Sequence, residues 1–464
     1  MKILLISANI AATPYPVYPL GMSVIAGVLA RAGHEVRQFD FLQEDRSPES
    51  LKNTAAEFQP AWVGISVRNI DNVNCANEQR YIDVVRDIVG VLKSSVNAPV
   101  VLGGTGFSVM PEEILAVTGA DYGIVGEGEE LVVEFAQAFA AGKLPAERIS
   151  RARRRLSGTS IEPALYDPRI MKFYRASGNM ANVQTKRGCV YKCAYCTYPV
   201  LEGEFIRARS ASAVVDDIRG LIEEHGIKYL FFTDSVFNDD EGYYIRVLEE
   251  MRRRRVSVPW TAFFKPDGLN EEAVALMKET GLKAAEIGAD AATDTTLKGL
   301  GKHFRFSDIA AANDIFVRSG VATAQYYMFG GPGETEGTVL EGIRNILSLP
   351  RTVSFVFMGI RILPGTALEK IALSEGLLKA GAPLLEPVYY IASSIGRIWL
   401  ERVLRESFDT ARSVIFPPDK YESTLQFLHK LGYAGSLWEM LLDEKTLSRR
   451  NRARNVSANG IIDN

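Results

Sequence analysis

The segment RGCVYKCAYCTYP, residues 187–199, gathers Cys189, Cys193 and Cys196 into eight residues, while the fourth cysteine, Cys75, lies far upstream. Three clustered thiols and one distant one do not make a disulfide framework, which leaves metal binding or redox chemistry. Thiolates spaced C-x3-C-x2-C can wrap one metal centre. A structural zinc would ask for a fourth ligand, and none of His34, His225, His303 and His429 is close in sequence. Three-cysteine ligation of a four-iron cluster instead leaves one iron open to a small molecule, and that asymmetry is a chemistry.

Such a loop must be held by something rigid. From residue 181, strand-like runs NVQTKRG, KYLFFTD, PWTAFFKP, AAEIGAD, ATAQYYMFGG and SFVFMGIRIL alternate with helix-like stretches such as SASAVVDDIRGLIEEHG, DEGYYIRVLEEMRRR and EEAVALMKETG. Six strand–helix units predict a partial (β/α)6 barrel of the TIM type over 181–375, with its site at the carboxyl-end loops. The cysteine loop follows the first of these strands, at the mouth.

Residues 1–140 alternate in the same way. KILLIS, HEVRQFD, WVGISV, VVLGG and YGIVG read as strands, and LGMSVIAGVLARAG, NEQRYIDVVRDIVGVLK and PEEILAVTG as helices. Cys75 falls near the start of the second helix. The pattern is that of an α/β, Rossmann-like doubly wound parallel sheet, whose ligands sit beyond the strand carboxyl ends. There lie ANIAATPYPVYPLG, SVRNIDN, GGTGFS and GEGEE, the last two glycine-rich, irregular loops that admit a large ligand. Residues 141–180 lack clean periodicity and read as a linker, its basic run RARRRL as a solvated face. Residues 376–464 read as a mainly helical C-terminal cap, LLEPVYYIASSIGRIWLERVL, and a polar, mobile tail, SRRNRARNVSANGIIDN.

Composition bounds the partners. The chain has 464 residues, 47% hydrophobic and 23% charged, with a formal net charge of −3 and interspersed signs, which argues against nucleic acid or a membrane surface. The apolar start of MKILLISANI is too short for a spanning helix and lacks a cleavage region, so a cytoplasmic protein without a membrane span is expected.

CVYKCAYC, with Tyr195 just before the last cysteine and placed after the first strand of a six-unit series, resembles the radical S-adenosylmethionine superfamily. The resemblance implies a [4Fe-4S] cluster on Cys189, Cys193 and Cys196, its open iron chelated by the amino and carboxylate groups of S-adenosylmethionine. One electron from an external flavodoxin- or ferredoxin-type donor then yields methionine and a 5′-deoxyadenosyl radical. The first half, through PLGMSVIAGVLARAGHEVRQFD, VGISVRNIDN, VVLGGTGFSVMPEEIL and DYGIVGEGEE, is similar to the cobalamin-binding domain of cobalamin-dependent members. That implies cobalamin contacts from Tyr18, Leu20 and Gly21, from Ser66, Val67, Arg68 and Asn69, from Gly103, Gly104 and Thr105, and from Gly126, Glu127, Gly128 and Glu129. The chain departs from many cobalamin proteins in lacking the D-x-H-x-x-G loop, so cobalamin is expected without a histidine ligand.

For S-adenosylmethionine, the similar strand-end motifs FTDSVFN, EIGAD and MFGGPGET imply roles for Tyr195, for Asp234 and Ser235 at the amino acid portion, for Glu286 at the ribose, and for Gly330, Gly331 and Pro332 at the adenosyl group. Glu286 has a structural alternative as a carboxylate buried against an arginine. Arg207 and Arg209 read as surface salt bridges, and only one of Tyr326 and Tyr327 can line the barrel. The implied reaction is methyl transfer to an unactivated carbon or phosphorus centre of a small molecule or lipid. Cobalamin-assisted cyclisation, rearrangement or C–C coupling is the alternative enzyme, and a cobalamin or iron–sulfur sensor the alternative class.

Replacing all three clustered cysteines by alanine is expected to abolish cluster absorbance after anaerobic reconstitution, while Cys75→Ala retains it. Full iron content in the triple variant would overturn the assignment.

Overall fold

Apolar runs flanked by amphipathic helices build two parallel sheets. The structure, a computed structural model, describes residues 1–442 apart from Pro14, so the polar tail lies outside the described residues. The first sheet comprises β1 (Lys2–Ser7), β2 (Glu35–Asp40), β3 (Trp62–Ser66), β4 (Val100–Gly103), β5 (Tyr122–Val125) and β6 (Ile149–Arg151). Its order is β2-β1-β3-β4-β5-β6, all parallel. Ile3, Leu4, Leu5 and Ile6 are all buried, as a strand covered on both faces requires. The order reverses between β1 and β3, opening a crevice at their carboxyl ends.

Helices Leu20–Arg31 and Pro111–Thr118 form where expected, joined by Pro48–Phe58 and Glu129–Ala140, which the periodicity reading did not name. The helix expected from residue 77 starts only at Ile82. Upstream, side chains of Asp71, Asn72 and Asn74 accept from the backbone N–H groups of Val73, Asn74 and Ala76. These local bonds compete with the helix. Cys75 therefore sits in a turn.

The segment read as a linker is ordered: β6 extends the first sheet, and a helix Pro168–Ala176, capped by Asp167, leads to the second. NVQTKRG then divides. β7 (Met180–Val183) enters the barrel, and β8 (Lys186–Arg187) leaves it to pair antiparallel with β9 (Arg207–Ala208). The barrel continues through β10 (Tyr229–Phe232), β11 (Trp260–Phe264), β12 (Ala284–Asp290), β13 (Ala322–Phe329) and β14 (Thr352–Met358). The cap is less helical than its sequence suggests. β15 (Ile360–Arg361) pairs antiparallel with β16 (Tyr389–Tyr390), and after the helix Arg397–Phe408, β17 (Val414–Ile415) adds a seventh parallel strand beside β14. The order is β17-β14-β13-β12-β11-β10-β7. Among the described residues no helix is long and apolar enough to cross a membrane.

One hydrophobic cluster runs from Leu4, Ile6 and Val63 of the first sheet to Ala289, Tyr327 and Met358 of the second. Beside it Asp71 accepts from Arg361 Nε at 2.8 Å, with both side chains at 3% exposure or less. The guanidinium also donates to the carbonyls of Ile362 and Leu384. Removing one partner strands a buried charge. Asp71→Ala is expected to destabilise the chain by roughly 3 kcal/mol; an unchanged urea midpoint would contradict this.

Candidate active site between the two strand mouths

The cysteine loop is tied down by backbone bonds. Cys189 N–H donates to Gly203 O at 3.0 Å, Cys196 N–H to Cys193 O at 3.1 Å, and Ala194 is held from both sides, donating to Leu300 O at 2.9 Å and accepting from Leu368 N–H at 2.7 Å. Gly188 leads into the loop at φ +94°, where a Cβ would stand 2.0 Å from Phe205 O. All three cysteines are free thiols of intermediate exposure. Burial pushes Cys189 upward and Cys196 up to about 12, and nearby thiolate charge adds to both shifts. A cationic centre reverses that balance, because coordination takes the thiolate. Among the described residues no three His, Cys, Asp or Glu side chains close around a single ion, whereas a four-iron cluster takes each thiolate on its own iron. Three soft donors on one loop at a barrel mouth fit that second demand.

The residues expected at S-adenosylmethionine separate. Tyr195 donates to Asp290 Oδ2 at 2.5 Å, and Lys302 pairs with the same carboxylate, a cluster that single-residue reading missed. Ser235 stays at the mouth, with Oγ 3.4 Å from Gly188 O. Asp234 turns inward. Its oxygens accept from Thr185 N–H and Oγ1 and from Lys186 N–H and Nζ, so the buried carboxylate anchors the strand leading to the cysteines. Glu286 does not end its strand as expected: it is the third residue of β12 and accepts from Tyr326 OH at 2.6 Å and Trp438 Nε1 at 3.2 Å, with no arginine among its described partners. Gly330, Gly331 and Pro332 form a buried turn in which Glu334 accepts the N–H groups of both glycines, so these donors are not free. Burial pushes Glu334 up to about 7, against those two bonds. Tyr326 faces the barrel interior, while Tyr327 packs outward into the main core.

Between the mouths lies a cavity of ≈ 360 Å³. Tyr18, Leu20, Gly21, Ser66, Arg68, Gly103, Gly104, Thr105, Gly126, Glu127, Gly128 and Glu129 line it from the first sheet. Asn182, Gln184, Arg187, Leu201, Glu202 and Thr233 line it from the barrel side. Val67 and Asn69 do not. Val67 is buried, with its N–H and carbonyl engaged by Gly103 and Gly106, and Asn69 is exposed elsewhere. Gly104 (φ +97°) approaches so closely that a Cβ would stand 2.6 Å from Val67 O. A glycine-lined crevice at strand ends suits a large flat cofactor. No histidine lines it, and His34 sits just ahead of β2.

The expected surface arginine Arg207 is instead half of a seam. Glu127 accepts from Arg207 Nη1 at 2.8 Å, Arg187 Nη1 at 3.0 Å and Leu156 N–H at 2.8 Å, and Glu129 pairs with Arg187 at 2.7 Å. Burial pushes Glu127 upward, but the Leu156 amide and the two guanidinium groups together hold it below the usual carboxylate range. Arg209 pairs with Asp217.

Comparisons agree with this architecture. The B12 binding domain family matches residues 6–136 and the Radical SAM superfamily residues 183–346. The tryptophan 2-C-methyltransferase of Streptomyces laurentii is 26% identical over 435 residues, covering 76% of this chain and 72% of its own. The structure of the radical S-adenosylmethionine methyltransferase TsrM from Kitasatospora setae, with cobalamin and a [4Fe-4S] cluster bound, superposes with a TM-score of 0.83 at 24% identity, over 97% of this chain and 99% of that one. The cobalamin-dependent S-adenosylmethionine radical enzyme OxsB superposes at 0.70 and 14%, over 100% and 76%.

Gly188→Ala is expected to displace the cysteine loop, because the added methyl has no room and φ is left-handed. Iron content after reconstitution should fall well below wild type with the far-ultraviolet circular dichroism unchanged; full iron loading would contradict this reading.

Proposed function

The chain belongs to the cobalamin-dependent radical S-adenosylmethionine enzymes, and from that premise we propose that it is a methyltransferase acting in the cytoplasm on an unactivated carbon or phosphorus centre of a small molecule or lipid. The observation that carries this reading is the shared cavity. Loops of the first sheet and residues flanking the cysteine loop line one space, so a methyl donor and a substrate need no domain separation to meet. The carbon methyltransferase relative supports the same reading.

When bound, the cluster, S-adenosylmethionine and cobalamin supply the electron-transfer and methyl-transfer chemistry. The chain supplies the geometry. Cys189, Cys193 and Cys196 hold the cluster, with Ala194 and Gly188 fixing their loop. Tyr195, Asp290 and Lys302 form a half-buried donor–acceptor set beside it, positioned to orient the polar groups of S-adenosylmethionine. Glycines 103, 104, 126 and 128 would leave room for the corrin, and Glu127, Glu129 and Arg187 of the ion seam line the same cavity. A flavodoxin- or ferredoxin-type protein delivers electrons from outside.

Counting products tests the proposal. Methyl transfer by the expected route gives both S-adenosylhomocysteine and 5′-deoxyadenosine; deoxyadenosine alone means rearrangement or coupling, and neither means a sensor. Because no histidine lines the cavity, bound Co(II) cobalamin is expected to show no superhyperfine splitting in electron paramagnetic resonance that changes when the protein's histidines are labelled with nitrogen-15. A label-sensitive splitting would contradict this reading of the first loop.

A further inference from the structure

Below the shared cavity the barrel interior is aromatic. Thr233 of the strand-end loop lines the cavity, and Phe231, two residues earlier on the same face, begins a run of rings. Tyr15, from the first loop of the other domain, meets Phe231 at 6.2 Å between centroids; Phe231 meets Phe263 at 5.1 Å; Phe263 meets Tyr326 at 6.0 Å; Tyr326 stacks on Phe355 at 5.2 Å. Phe263 and Tyr326 belong to β11 and β13, which β12 separates, so their contact passes over the inner face of β12. The residue of β12 in register with Phe263 is Glu286. Trp438 closes the floor against Ala284, Ala324 and Phe355.

Two features set this place apart from ordinary core. Phe263 keeps 37% exposure although it points into the barrel, so open space adjoins the rings. Glu286 is 1% exposed, yet among the described residues no lysine, arginine or histidine forms an ion pair with it. Its partners are a phenol and an indole, which fill two of about four acceptor sites on a carboxylate.

We infer that the arc Tyr15, Phe231, Phe263, Tyr326 and Phe355, with Glu286 at its centre, is a substrate subsite for a small molecule with a flat apolar body and a protonated amine. Aromatic faces attract a desolvated ammonium, and the unpaired carboxylate supplies the counter-charge the barrel lacks. The inference rests on the enzymatic reading above and names the substrate class of the same site.

It also carries a pH signature. Burial pushes Glu286 up to about 7, with hydrogen bonds from Tyr326 and Trp438 pulling it down and the charge of Glu439 raising it. The groups facing it are Tyr326 of β13, Trp438 and Glu439 of the C-terminal segment, and Tyr15 and Tyr229, whose phenols burial holds well above their usual range. Glu439 is itself raised by burial and eased by Lys283. An ammonium binds the ionised carboxylate, so retention should rise with pH through neutrality and fall below it.

Equilibrium dialysis of the cofactor-loaded protein against tryptamine and indole-3-acetate, which share a ring and differ in charge, tests this. At pH 8 tryptamine should be retained about tenfold better, the worth of one charge-assisted hydrogen bond. The advantage should shrink at pH 6 and vanish in Glu286→Gln, whereas Phe263→Ala should weaken both ligands. Equal retention of the two probes, a preference independent of pH, or one that survives in Glu286→Gln overturns the inference. The pH series on wild type needs no variant to fold. Because retention is read without turnover, loss of the amine preference leaves methyl transfer standing, and absence of a methylated product leaves the subsite standing.

Discussion

The ion seam of Glu127 and Glu129 with Arg187 and Arg207 fixes how the two sheets meet. Its acids open the helix end of the first sheet's last glycine loop, and Arg187 stands two residues before the first cluster cysteine. Four charges with little solvent access are costly to bury; Glu127 is matched by two guanidinium groups and the Leu156 amide, and Glu129 by the Arg187 guanidinium. The same contact that satisfies them sets the cysteine loop over the glycine crevice. Cofactor geometry and interdomain electrostatics are thus one constraint.

Other contacts follow from that placement. With the mouths opposed, the first loop can send Tyr15 into the barrel against Phe231, and Asp71 can reach Arg361 across the joint. Each of the two large hydrophobic clusters contains residues of both sheets. Burying that joint removes apolar surface from water and limits relative motion of the sheets. A fixed joint suits chemistry whose reacting atoms must be held close.

Acidic residues in the barrel divide according to their partners. Asp234 is saturated by Thr185 and Lys186 and serves the backbone. Glu334 is saturated by Gly330 and Gly331 and shapes a turn. Asp290 is shared by Tyr195 and Lys302 at the mouth. Glu286 alone among these four has neither a cation nor a backbone amide among its described partners, which are a phenol and an indole. Strand-end motifs do not reveal this division, because a carboxylate's role is set by what occupies its remaining lone pairs.

Local sequence determined much of this protein. Period-two and apolar runs specified β1 to β5 and the six main barrel strands, because a strand buried on both faces must be apolar throughout. The spacing of Cys189, Cys193 and Cys196 specified the donor set, and the glycines after β4 and β5 specified a crevice. Tertiary structure decided what depends on residues far apart in the chain. It placed β17 and Trp438 of the C-terminal segment in the barrel, recruited β6 from a stretch without periodicity, and turned Arg207 from a surface residue into half of a buried seam. It also moved Glu286 from the strand-end role read from EIGAD to the barrel's centre, since a motif gives order along a strand but not its height above the floor. Long-range pairing and burial are properties of the folded chain, and a periodicity or motif spacing does not encode them.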